Sequence, residues 1–212
     1  MAELIQRSFY ARSAVIVARD LLGHWLVREI AGVRLVGRIV ETEAYLGEED
    51  AASHAFRGPT PRNRSMFGPP GHAYVYLIYG MHHCLNIVTG PVGKGQAVLI
   101  RAVEPLEGLE VMRLNRKGVP LRQLTNGPGK LCQAFAIDKT LDGHDLCLAQ
   151  ALWLEAGSPP QETICQGPRI GVRGDDKALS RPWRFFLKNN PFISPNALNH
   201  HPCNASRHSD TR

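Results

Sequence analysis

No stretch of these 212 residues approaches 18 consecutive apolar side chains, and the opening MAELIQRSFYARS has no signal-peptide core. The expectation is a cytosolic protein, nucleoid-associated if bacterial and nuclear if eukaryotic. No CxxC occurs among Cys84, Cys132, Cys147, Cys165 and Cys203. Five is an odd number, which fits free thiols in a reducing compartment. No GxGxxG follows a strand, no GxxxxGK[ST] or HExxH appears, and there is no GxSxG elbow. These absences remove the dinucleotide fold, the P-loop, the zinc protease and the α/β-hydrolase nucleophile. His82-His83-Cys84 has adjacent ligands rather than turn-spaced ones, so no catalytic zinc is expected. Neither a cofactor nor a metal is anticipated.

What is present is ordinary in bulk: 43% hydrophobic and 21% charged residues, the balance of a globular domain. The length suits one compact domain over 1–195, followed by a polar, aperiodic tail from Asn196 to Arg212, expected to be disordered. Its His200-His201 and Cys203 resemble a metal site only loosely. A net charge of +6 suits an anionic partner.

The informative stretch is Arg34 to Tyr45, RLVGRIVETEAY. At a period of two, Leu35, Gly37, Ile39, Glu41, Glu43 and Tyr45 share one face of a strand. Both faces of its first half are apolar, which predicts an inner strand. Its end then carries two carboxylates and a tyrosine on a face that begins as core. A carboxylate against a water-poor wall makes a usable base. Emergence of the strand into solvent is the alternative, and parity does not choose between Glu41 and Glu43.

Upstream, Ser13 is placed to cap a helix through Leu22 with Gly23 as its stop, and His24 to Ile30 pairs with the following strand through an Ala31-Gly32 turn. Leu46 to Gly71 reads as a long irregular loop carrying His54, Arg57, Arg62 and Arg64, with Met66-Phe67 as its apolar anchor. It is either functional or disordered. Strands are predicted over Ala73 to Ile78 and Leu85 to Thr89. The tip between them exposes Tyr79, Met81, His82 and His83, unless it folds back onto the core. An apolar wedge of Tyr79 and Met81 suits insertion between stacked bases.

Gln96 to Val103 reads as a further strand, with Arg101 in an apolar run that demands a carboxylate or phosphate partner; a structural ion pair would satisfy it equally. Leu106 to Arg116 suits an amphipathic helix. Asn126-Gly-Pro-Gly-Lys130 opens another, through Ala136, either as a phosphate site or as a plain helix start. Short strands are expected at Leu152 to Glu155, Pro168 to Val172 and Trp183 to Leu187.

Taken together, the blocks GRIVETEAYLG with His54, TPRNR, MF, YVYLIYGM with Cys84 and Asn86, VLIRAVEPLEGLE and GPGKLCQAFAI resemble the alkyladenine (3-methylpurine) DNA glycosylase family, in order from Val15 to Leu187. The resemblance implies an α+β fold: a single compact mixed domain with a curved antiparallel sheet, flanking helices and a hairpin that projects a wedge. It implies a monofunctional enzyme that excises 3-methyladenine, 7-methylguanine and hypoxanthine from double-stranded DNA, acting as a monomer away from membranes. By motif position Glu43 is the general base and Arg101 its support. Tyr45, His54 and Tyr76 form the base pocket, Asn86 discriminates against guanine, and Tyr79 fills the vacated space in the duplex with Met81 beside it. Arg62, Arg64 and Lys130 are candidate phosphate contacts. His82 departs from the aromatic residue some members carry there. The alternatives are a non-catalytic binder of damaged or structured nucleic acid, and an RNA-binding domain.

Overall fold

The expected inner strand is the longest in the molecule. In the computed structural model, which describes residues 3–195, it is β2, Val33–Leu46. One edge of β2 pairs with β5 (Gln96–Glu107). The other edge is shared: β1 (Trp25–Ile30) takes its first half, and β8 (Arg184–Leu187) takes Glu41 to Glu43. β3 (Ala73–Ile78) and β4 (His82–Thr89) extend the sheet beyond β5. β6 (Leu152–Glu155) lies beyond β1, and β7 (Ile164–Gly167) pairs with β8. All pairings are antiparallel, and the eight strands form one open sheet. The chain is one compact α+β domain, as the sequence implies.

Of the five helices among the described residues, the first four cover one face. α1 (Arg7–Tyr10), α2 (Ala14–Asp20), α3 (Leu109–Asn115), α4 (Pro128–Ala134) and α5 (Asp176–Ser180) are all short. They are too short to be stable alone, so tertiary packing holds them. Val17, Ala18 and Leu21 of the α2 segment, with Leu131 and Phe135 of the α4 segment, meet Leu35, Ile39 and Ile100 in the main core. Gly37 is required there: a Cβ at that position would lie 2.5 Å from Cγ2 of Val103.

The other face is covered by the 47–71 segment. Two 3₁₀ turns, Gly47–Glu49 and Arg64–Phe67, are its only helical pieces. The expected anchor holds. Met66 is buried, and with Ala55 it packs on Tyr74, Val88 and Ala97, with Phe67 against the same cluster. Burying Met66 contributes about 1.5–3 kcal/mol. Polar ties do the rest. Asn63 Nδ2 donates to the carbonyls of His54 and Gly58, Ser65 Oγ donates to Asp142, and the Asp50 carboxylate pairs with Arg169.

Several expectations are corrected. The face that begins as core is not the face that carries the glutamates. Register shifts around Val40 mark a β-bulge, and Leu35 and Ile39 share the main core with Ala44 rather than with Tyr45. One extra residue reverses the alternation. Ser13 makes no side-chain cap; the Ala14 N–H is met instead by Oε1 of Gln96. β4 starts at His82, so both histidines belong to the strand and only Tyr79, Gly80 and Met81 form the tip. α3 begins at Leu109, because β5 runs on through Pro105 to Glu107 and Gly108 turns with φ 74°. Residues 168–172 are not a strand; β7 precedes them. Cys84, Cys132 and Cys147 are free thiols, but Cys165 is disulfide-bonded, so the five cysteines are not all free. The expected tail from Asn196, with His200, His201 and Cys203, lies outside the described residues.

Candidate active site

Sheet register alone brings distant residues together. Tyr74 pairs with Asn86, Asn86 with Leu99, Leu99 with Glu43, and Glu43 with Arg184. Directly paired residues in an antiparallel sheet point to the same face. Tyr74, Asn86 and Glu43 therefore line one row, with Glu43 and Asn86 two strand spacings, about 10 Å, apart. The two flanking rows, one on each side, add Tyr45 opposite Ala97 and Tyr76 opposite Cys84. Tyr74 was not singled out from sequence, although it shares strand parity with Tyr76.

These residues form a narrow cavity of about 40 Å³ lined by Tyr45, Ala52, His54, Tyr74, Tyr76 and Asn86, with Met66 at its base. It is only a slot. The His54 ring stands edge-on to Tyr76, with centroids 4.5 Å apart. His54 Nδ1 lies 3.0 Å from the Tyr74 hydroxyl. His54 is exposed at the mouth as a residue, yet loss of water around its ring, together with the Arg62 charge, lowers its imidazole below the usual range. Asn86 is buried and donates through Nδ2 to the Tyr74 carbonyl at 3.2 Å.

Glu43 is fully buried. Its Oε2 accepts from the Tyr45 hydroxyl at 2.9 Å, and its Oε1 accepts from the Ile170 N–H at 2.7 Å. Nη1 of Arg101 lies 3.2 Å from Oε2. Glu41, also fully buried, meets Nε of Arg101 at 3.1 Å, Nε of Arg184 at 2.6 Å and the Ser194 N–H at 2.6 Å. Burial opposes ionisation of Glu41, but the two guanidiniums and the Ser194 donor outweigh it and hold its carboxyl below the usual range. A carboxylate held that way is a poor base. Glu43 shares one arginine and touches the slot through Tyr45. The two glutamates that strand parity leaves equivalent are thus separated by their partners. Burial alone would favour the neutral form of Arg101, yet Glu43 and Glu41 raise its affinity for the proton well above normal.

The hairpin tip stands apart from this row. Tyr79 is 80% exposed and Met81 70%, so neither folds back onto the core. Tyr79 has φ 53° and Gly80 φ 70°. A left-handed tyrosine costs roughly 1–2 kcal/mol, a strain that a side chain 80% exposed does not offset by packing. Of the basic candidates, Arg62 is exposed and donates to the Leu77 carbonyl at the hairpin, and Arg64 is exposed with no side-chain partner among the described residues. Lys130 donates to Oδ1 of Asn126 at 2.8 Å, and partial burial and Arg116 lower its pKa. Its neighbour Gly129 lies against His82 at the hairpin root. Arg101 is not a phosphate site: both glutamates occupy it.

Sequence reasoning missed Arg169 and Ile170, which lie where a strand was expected, and the Arg184–Ser194 partners of Glu41. No motif marks them. Among the described residues no group of three metal-ligating side chains comes together, and no helix is long and apolar enough to cross a membrane.

A buried carboxylate behind an aromatic slot, on the same sheet as a hairpin with an exposed aromatic tip, defines a protein built to act on a flat ring carried by a larger polymer. The family model described as "Methylpurine-DNA glycosylase" matches residues 8–191, and the chain belongs to that family. It is similar, at 51% identity over 192 residues, to a Carboxydothermus hydrogenoformans protein named "Putative 3-methyladenine DNA glycosylase", covering 90% of this chain and 98% of that one. Proteins of the same name from Methanocella arvoryzae and Clostridium tetani are 52% and 47% identical, over 92% and 90% of this chain and 97% and 98% of theirs. The chain is accordingly a hydrolase of the DNA-3-methyladenine glycosylase type.

Proposed function

We propose that this protein flips alkylated or deaminated purines, among them 3-methyladenine, 7-methylguanine and hypoxanthine, out of duplex DNA and hydrolyses their N-glycosidic bond without cutting the strand. The observation that carries the reading is the Glu43 carboxylate, buried and tied by Tyr45 to the aromatic slot.

Eversion costs a few kcal/mol, least for a damaged or mispaired base. Tyr79, with Met81 beside it, occupies the gap left in the stack. Arg62, which reaches the hairpin at the Leu77 carbonyl, Arg64, and Lys130, whose neighbour Gly129 lies against His82, hold phosphates. Tyr45, His54 and Tyr76 stack on the everted ring, at roughly 1–3 kcal/mol per base. Two stacking contacts of about 3.5 Å need rings about 7 Å apart. His54 and Tyr76 stand edge to face at 4.5 Å, so the slot widens as the base enters, the His54 ring giving up its contact with the Tyr74 hydroxyl. Asn86, fixed by the Tyr74 carbonyl, discriminates against normal guanine at its 2-amino group, a penalty that the weakened glycosidic bond of 7-methylguanine offsets.

In the chemical step Glu43 takes a proton from a water whose oxygen bonds to C1′. The C1′–N bond breaks and its electron pair leaves with the base. Arg101 and the Ile170 N–H keep Glu43 aimed. A base so placed contributes on the order of 10²–10⁴-fold. No lysine stands among the slot-lining residues to form a covalent imine.

The test is single-turnover release of free purine from lesion-bearing duplexes. Wild type releases base, and Glu43→Gln binds the same duplex but releases none. Binding without release by the wild type would leave a non-catalytic binder. Borohydride trapping of a protein–DNA adduct would overturn the claim that the strand stays intact.

A further inference from the structure

Arg169 lies outside the slot, and its side chain is wholly buried. Its Nη1 donates to the Ala44 carbonyl at 2.9 Å and to Oδ2 of Asp50 at 2.5 Å; its Nη2 donates to Oδ1 of Asp50 at 2.7 Å and to the Ala178 carbonyl at 3.1 Å. Its guanidinium carbon lies 4.7 Å from the centre of the Tyr45 ring and 5.2 Å from that of Trp183. Its buried Nε has no hydrogen-bond partner, so the plane is set by the two rings and the Asp50 fork rather than by saturating every donor.

One side chain therefore grips three pieces of chain: the end of β2, the 47–71 segment at Asp50, and α5. A buried ion pair is weak evidence of stability, because well-packed apolar residues do as well. Its value here is geometric. The Tyr45 ring under the guanidinium carries the hydroxyl that donates to Glu43, and the next residue, Ile170, supplies the N–H on the other oxygen of Glu43. A fork that is planar and bidentate fixes direction in a way an ammonium does not.

We propose that Arg169 is a positioning residue for the base-release reaction: it holds the Tyr45 hydroxyl and the Ile170 N–H on Glu43, and through Asp50 it ties placement of the 47–71 segment, with slot residue His54, to the aim of that carboxylate. This rests on Glu43 being the base. The groups that face Glu43 are Arg101 from β5, Tyr45 from β2, Tyr76 from β3, Cys84 from β4, and Arg169 itself.

The experiment compares wild type, Arg169→Lys and the double variant Asp50→Asn/Arg169→Gln in single-turnover release from a hypoxanthine duplex across pH, with duplex affinity measured in parallel. Arg169→Lys keeps the charge opposite Asp50 but loses the fork and the two-ring contact. Release falls by on the order of 10²-fold as Glu43 loses the aim its two donors give it, and duplex affinity is retained. The double variant leaves no uncompensated buried charge, so it decides the matter if the lysine variant does not fold. A folded variant of either kind that releases base at the wild-type rate overturns the proposal. Failure of the wild type to release base overturns the assignment of Glu43 instead, so the two failures are distinct.

Discussion

Nη1 of Arg101 lies 3.2 Å from Oε2 of Glu43, while Nε of the same arginine lies 3.1 Å from Oε1 of Glu41. One guanidinium thus bridges two buried carboxylates with different neighbours. Glu41 has a second arginine, Arg184, and is saturated; Glu43 has Tyr45 and a backbone N–H and reaches the slot through the Tyr45 hydroxyl.

Substitution separates the two glutamates. Glu43→Gln keeps the volume, and its single amide oxygen accepts at only one of the two sites; Glu41 still pairs Arg101, so the protein stays folded while base release is lost. Glu41→Gln leaves Arg101 and Arg184 buried without their shared counter-charge, and breaking such a network costs about 3–5 kcal/mol. Denaturant melts and single-turnover assays on both variants check this. A Glu41→Gln protein of wild-type stability would contradict the structural role of Glu41.

His54 gives a pH signature. Its imidazole is lowered first by loss of water around the ring and then by the Arg62 charge. The folded state is thus harder to protonate than the unfolded chain, and it binds fewer protons between the two values. The associated stability is fully present above the unfolded value near 6.5 and is lost as pH falls through it toward the folded value. An NMR titration of His54 gives a midpoint below that of a free histidine. Arg62→Gln removes the second cause and raises the midpoint; no movement would exclude Arg62 as a contributor.

What the sequence made legible follows from periodicity and burial. The inner strand over 34–45, the Arg101 strand, the Tyr79 hairpin and the Met66 anchor all rest on local pattern, and local pattern decides them. The bulge near Val40 is different: register is a property of two strands, and one strand's alternation cannot show it. Choosing Glu43 over Glu41 required partners 60 to 150 residues away, at Arg101, Ile170, Arg184 and Ser194. Arg169 was invisible for the same reason: what singles it out is Asp50 and Tyr45, more than a hundred residues upstream.

Asn63 holds the loop that carries His54. It is buried, donates to the carbonyls of His54 and Gly58, and accepts from the N–H and hydroxyl of Thr60. Asn63→Ala strands these groups, each at about 1–3 kcal/mol where water cannot reach it. The effect is local: backbone amides of the 54–63 segment exchange faster with solvent and KM for lesion DNA rises, while amides of β2 and β5 keep their protection. Hydrogen exchange resolved by residue measures it, and uniform loss of protection across the sheet would show that Asn63 supports the whole domain instead.

Tyr79 sits at φ 53° and is 80% exposed, so its side chain gives the free protein strain and almost no burial. Tyr79→Gly relieves roughly 1–2 kcal/mol of left-handed strain. It adds about 0.5–1 kcal/mol of extra chain entropy in the unfolded state. The terms nearly cancel, with a small balance toward stabilisation, so the variant melts at or slightly above wild type. Tyr79→Ala keeps the strain and melts below the glycine variant. Both lack the aromatic wedge, so base release from duplex DNA falls in both to a similar extent, although their stabilities differ. Duplex activity that followed stability, recovering in the glycine variant, would mean that the tip shapes the fold rather than props the duplex open.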